Sequence, residues 1–85
     1  MIDLEIDISE MGIYESDEMG WRGASEIHCA GNTLKELIDD ASIWWIDQDG
    51  GEVMETRLVD EVAYIDRLSQ VVRDHYRDEI RRISV

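Results

Sequence analysis

The chain has 85 residues, 44% of them hydrophobic in the broad count, and a formal net charge of −13. That length makes one domain with one modest core, and the charge disfavours direct binding to nucleic acid or anionic membrane. One cysteine, Cys29, excludes an internal disulfide, no apolar run approaches the roughly 20 residues that span a bilayer, and no basic segment leads an apolar run at the N-terminus. The expectation is a cytoplasmic protein.

Ile2 to Ile8 alternates strictly. Ile2, Leu4, Ile6 and Ile8 face one way and Asp3, Glu5 and Asp7 the other, which predicts a half-buried strand with an acidic outer face. Ser9 to Gly23 has no clear period. Gly12, Gly20 and Gly23 punctuate it, and Glu15, Asp17 and Glu18 make it acidic. It reads as a loop with a short strand at Gly12–Tyr14. Met11, Ile13, Tyr14, Met19 and Trp21 are too apolar for a free linker, so this stretch covers an end of the core or forms part of a binding surface. Ala24 to Ala30 predicts a second strand, with Ile27 and Cys29 opposed to Glu26 and His28. After Gly31-Asn32, Thr33 and Glu36 match a capping box. The helix they open runs at least to Asp40 and buries Leu34, Leu37 and Ile38.

Two readings compete from there. Leu34, Leu37, Ile38, Ala41, Trp44 and Trp45 keep a helical spacing, which would make residues 33–49 one continuous helix ending at Gly50. Alternatively Ser42 to Gln48 is a strand, turned by Asp49-Gly50-Gly51 into a second strand from Glu52 to Leu58. The hairpin is preferred, because Asp-Gly between two β-rich runs is a strong turn signal. Trp44 and Ile46 would then share one face and Ile43 and Trp45 the other, with one tryptophan in the core. Asp60 to Ile83 reads as one long amphipathic helix. Val62, Ile65, Val72, Tyr76, Ile80 and Ile83 lie within about 40° of one line at 100° per residue. The order is β-β-α-β-β-α, a small α+β domain with an antiparallel sheet packed on the C-terminal helix.

Few residues suggest chemistry. Asp47-Gln48-Asp49-Gly50-Gly51-Glu52 opens like a calcium loop, but Glu52 and Leu58 stand where the sixth-position glycine and twelfth-position glutamate belong. His28 and Cys29 are strand neighbours on opposite faces and cannot form a nucleophile–base pair. Cys29 reads as a small buried hydrophobe. Gly20-Trp21-Arg22-Gly23 lacks the lysine and spacing of a phosphate loop. The chain therefore reads as a non-enzyme without cofactor or metal.

Charge is unevenly spread. Residues 1–66 hold 18 acids against Arg22, Lys35 and Arg57, a net of −15, while residues 67–85 hold five arginines against three acids, a net of +2. Arg73, Arg77 and Arg81 form a stripe beside the apolar face of the helix. Tyr64, Leu68 and Val71 lie 80–140° from the centre of that face, an arc too wide for one sheet. Either the loop around Trp21 covers them or a second protein does, which hints at a homodimer through the helix.

These features suggest a protein that acts by binding another protein with a basic surface. Asp3, Glu5, Asp7, Glu15, Asp17, Glu18, Trp21, Asp47, Asp49, Tyr64, Leu68 and Val71 are the candidate contact residues. Carboxylates at alternate strand positions repeat about every 6.7 Å, a row loosely comparable with consecutive phosphates of one DNA strand. In size, acidity and one-domain build the chain resembles phage-encoded anti-CRISPR and anti-restriction proteins that mimic DNA. That resemblance is compositional, covers no motif, and implies an inhibitor occupying a basic groove of a nucleic-acid enzyme. The alternative is a regulatory or assembly protein, antitoxin-like or a virion accessory subunit, that binds through the apolar flank of the helix.

Overall fold

The structure is a computed structural model that describes residues 1–18, 20–51 and 53–83, with the side chain of Asp17 outside that description. Five strands and two α-helices follow in the order β1 (Ile2–Asp7), β2 (Tyr14–Asp17), β3 (Gly20–Gly31), α1 (Leu34–Asp40), β4 (Ser42–Asp47), β5 (Val53–Arg57) and α2 (Ile65–Ile83). The sheet is antiparallel throughout, ordered β1-β3-β4-β5, with β2 also paired to β3. It is the α+β domain expected from the sequence, and the hairpin reading of residues 42–58 holds over the continuous helix.

The long central strand β3 organises the sheet. β1 pairs with its second half, from Ile2 opposite Gly31 to Asp7 opposite Glu26. β2 pairs with its first half, from Tyr14 opposite Gly23 to Asp17 opposite Gly20. The two strands therefore lie in tandem along one edge of β3, separated by a 3-10 turn at Ser9–Met11 and by Gly12, whose φ of 67° is left-handed. This corrects the loop expected at Ser9–Gly23. Its short strand lies at Tyr14–Asp17 rather than Gly12–Tyr14, and the second strand starts at Gly20 rather than Ala24. Ser9–Gly23 shows no simple period because it holds a 3-10 turn, a four-residue strand and the start of β3 in succession, and a bulge at Ser25 then interrupts β3 itself. It switches the inward residues of β3 from Arg22 and Ala24 before it to Ile27 and Cys29 after it. Ser25 Oγ donates to the Trp44 carbonyl at 3.0 Å.

α1 begins as its sequence dictates. The Glu36 amide donates to Thr33 Oγ1 at 3.2 Å, and Glu36 Oε2 accepts from the Asn32 and Thr33 amides at 2.6 and 3.2 Å. Gly31 is required just upstream, because a Cβ there would stand 2.7 Å from Glu36 Cβ and 3.1 Å from the α1 backbone.

The core lies between one face of the sheet and the helices. Leu4, Ile6 and Ile8 of the first strand and the turn after it meet Ile13, Ala24, Ile27, Cys29, Leu37, Ala41, Ile43, Trp45, Leu58, Leu68 and Val72. Leu34 and Ile38 are partly buried against them. Trp45 is fully buried and its Nε1 donates to Thr56 Oγ1 at 2.7 Å.

The C-terminal helix departs from expectation twice. It starts at Ile65, not Asp60. Leu58–Asp60 is a 3-10 turn whose fully buried Leu58 donates its amide to the Ala41 carbonyl at 2.9 Å, so the chain turns from the sheet edge onto the inner face before a helix can form. Its buried face is also rotated. Leu68, expected on a flank covered either by the loop around Trp21 or by a second protein, is fully buried, and Tyr64 and Val71 are partly buried against the core. Ile80 (38%) and Ile83 (64%), expected on the core stripe, are exposed at the C-terminal end of the helix, and Val62 (78%), also expected there, precedes the helix in a turn. The apolar arc spans about half the helix circumference, and the core takes the side centred on Leu68 and Val72. The segment from Met11 to the start of β2 helps to cover that side: Tyr64 Oη donates to the Tyr14 carbonyl at 3.1 Å and Arg67 Nη2 to the Met11 carbonyl at 3.1 Å.

Candidate interaction surface

Both helices bury their core residues on the first face of the sheet, so among the described residues no helix packs across the second. Strand alternation and the antiparallel register arrange its residues in rows across the strands. One row runs Glu5, His28, Ser42 and Arg57; the next runs Asp7, Glu26, Trp44 and Glu55. Asp3 stands opposite Ala30 at the end of β1. Asp3, Glu5, Asp7, Glu26 and Glu55 are all exposed. At about 4.8 Å per strand, Asp7 and Glu55 stand about 14 Å apart across the face.

Local contacts fix several of these groups. Asp7 Oδ1 accepts from the Ser9 amide at 2.9 Å and from Ser9 Oγ at 2.6 Å. Those two bonds, the hydroxyl first, lower its pKa below the ordinary 3.8 and keep it ionised. His28 Nε2 lies 2.6 Å from Glu26 Oε2, and its ring stacks on Trp44 at 4.4 Å between centroids and 12° between planes. Trp44 Nε1 is buried beneath without a hydrogen-bond partner among the described residues.

Beyond the bulge the same face becomes apolar. Tyr14 (58% exposed), Trp21 (44%), Ile46 (39%) and Val53 (56%) cluster at this end. Tyr14 and Trp21 pack edge to face at 5.3 Å. At the opposite end, α1 and the β4–β5 hairpin frame an open depression lined by Glu36, Asp39, Asp40, Ser42, Glu55 and Arg57. Arg57 Nη2 donates to the Asp39 carbonyl at 2.7 Å.

The predicted contact residues are therefore dispersed. Asp3, Glu5, Asp7 and Trp21 share the open face. Glu15 instead points inward and holds Arg22, whose guanidinium also covers the Trp45 ring at 4.6 Å and lies 3.7 Å from Glu61. Burial, followed by the Glu15 carboxylate beside it, raises the Glu61 carboxyl above the ordinary 4.5. Asp47 closes the β4–β5 turn: its carbonyl accepts from Gly50 N and its Oδ1 from Gly51 N, both at 2.9 Å. Asp49 and Glu18 are exposed in turns. The Asp17 side chain, and Met19 and Glu52, lie outside the described residues. Leu68 belongs to the core and Tyr64 and Val71 line it, so these candidate contact residues face the protein's own interior.

The sequence indicated the acidic row but not its neighbours. Glu26 and Glu55 join it only through register, and Ile46 and Val53 only through the position of the hairpin. The Asp-Gly signal and the alternation on either side of it held that information without the pairing partners. Cys29 is buried on the inner face, with its thiol pushed up to about 11 by burial and then by the Asp40 and Asp3 carboxylates. Among the described residues no group of three or more His, Cys, Asp or Glu side chains is arranged to hold a metal ion. Among the described residues no helix is long and apolar enough to cross a membrane. A scan against family models and searches of curated proteins and of solved structures found no match to the chain.

Proposed function

We propose that the protein is a non-catalytic inhibitor that presents its acidic sheet face to a basic groove of a nucleic-acid enzyme. The observation that carries this reading is the row Asp3, Glu5 and Asp7, exposed along one strand of an uncovered face and extended across it by Glu26 and Glu55. Like charges side by side on a sheet cost stability. A row of them on the face without a covering layer is therefore better explained by a partner than by the fold. The sheet is a rigid support, so little ordering cost accompanies binding, and opposite potentials speed encounter. The anti-restriction and anti-CRISPR resemblance belongs to this reading.

The test is displacement of a labelled DNA duplex from purified nucleases and CRISPR effector complexes. One of these enzymes is expected to lose its duplex stoichiometrically. The triple variant Asp3→Asn/Glu5→Gln/Asp7→Asn is expected to inhibit at least tenfold more weakly, with wild-type inhibition weakening as salt rises. Wild-type potency in that variant would rule out the acidic row as the contact.

A further inference from the structure

The fold leaves a second surface uncovered, on α2. No residue of the helix beyond Val72 is fully buried. Tyr76 still touches the core, but Ile80 and Ile83, at the C-terminal end of the helix, lie open. Arg73, Arg77, Arg81 and Arg82 are exposed around them. Among these arginines, within the described residues, only Arg82 has an ion pair, with Glu79 at 2.8 Å. This end of the helix is thus apolar and basic. The outer sheet face is apolar at Tyr14, Trp21, Ile46 and Val53, and acidic at Asp7, Glu26 and Glu55.

The two surfaces complement each other but cannot meet within one molecule. α2 packs on the inner face of the sheet through Leu68 and Val72. It is one continuous helix of 19 residues, about 28 Å long, and as one helix it cannot fold back around the sheet edge to the other face. We propose that the C-terminal end of α2 docks on the outer sheet face of a second copy. Ile80 and Ile83 would seat on the Trp21–Val53 end, with the arginines toward the carboxylates. Such a contact is heterologous: each molecule offers one helix end and one face, so assembly continues head to tail until it closes into a ring or grows as a filament. A two-fold pairing of the helices would instead bring two net-positive ends together.

Net charge sets the conditions. Each copy carries −13, and at 0.01 M salt the screening length of about 30 Å lets whole molecules repel; at 0.15 M it shrinks to about 8 Å and only close contacts remain. Self-docking should therefore tighten from low to physiological ionic strength.

The experiment is analytical ultracentrifugation of the full chain over a concentration series at 0.15 M salt, with two surface variants. Ile80→Glu/Ile83→Glu spoils the helix end, and Trp21→Glu/Val53→Glu spoils the seat while leaving the acidic row intact. Circular dichroism confirms that both fold, and Val53→Glu alone serves as the seat variant if the pair does not. Wild type is expected to associate with concentration. Each variant alone should weaken association at least tenfold, and an equimolar mixture of the two should form a one-to-one dimer and nothing larger, because one intact helix end meets one intact seat. A monomeric wild type, or a mixture that stays monomeric while wild type associates, overturns the proposal. The inference uses the same face as the inhibitor reading but does not share its fate: self-association is read by mass, and that reading by displacement of DNA with the acidic row altered.

Discussion

At the scale of single residues, the informative group is Glu61. It shares Arg22 with Glu15 and packs near Thr56, and burial holds its proton more tightly in the folded chain than in the unfolded one. A raised carboxyl favours folding while it is protonated. Its contribution is therefore full below the ordinary value and is lost as pH rises through the raised one. Glu61→Gln should remove that loss, giving a variant more stable than wild type at pH 7 and equal to it below about pH 4, where both side chains are neutral. Urea midpoints at the two pH values check this, and a less stable variant at pH 7 would mean that the Arg22 contact outweighs desolvation. Asp7 runs the other way, since its Ser9 bonds favour the ionised form and are lost as pH falls through its lowered value. Neither case was legible in the sequence. Glu61 is 39 residues from the Arg22 it approaches, and nothing in the local pattern of Glu61, Glu15 or Asp7 distinguishes them from the many solvated acids around them.

At the scale of elements, local chemistry was readable wherever it was self-contained. The Thr33–Glu36 box, the alternation of β1 and the Asp-Gly hairpin are each decided within a few residues, and each stands in the structure as expected. What failed was rotation and continuity. A helix with an apolar arc of about 180° has no unique buried line in its sequence, and the side chosen depends on where Leu58 and the segment before β2 arrive. The consequence is measurable. Leu68→Ala should destabilise by about 2–5 kcal/mol as a buried leucine truncated in a packed core, whereas Ile80→Ala should change stability by about 0.5 kcal/mol or less in the monomer as a surface substitution. Equal losses in denaturant melts at a concentration where the chain is monomeric would contradict the rotated face.

At the scale of the whole molecule, 18 acids lie in the first 66 residues, and much of the chain's charge works against compactness. Raising salt from 0.01 to 0.15 M should raise the urea midpoint as self-repulsion is screened. The Asp3→Asn/Glu5→Gln/Asp7→Asn variant should be more stable than wild type at low salt, with a smaller salt response. A midpoint insensitive to salt would show that the carboxylates are too well solvated to oppose folding. The tandem placement of β1 and β2 has a further consequence. The edge of a sheet is a template on which another chain can add a strand and begin an aggregate. Here that edge is broken by a 3-10 turn and a left-handed glycine, so neither piece exceeds six residues. Along the longer piece, Asp3, Glu5 and Asp7 point to the open face. Two copies aligned edge to edge would set one acidic row beside another. The residues that make the face attractive to a basic partner thus also guard the sheet against growth by strand addition.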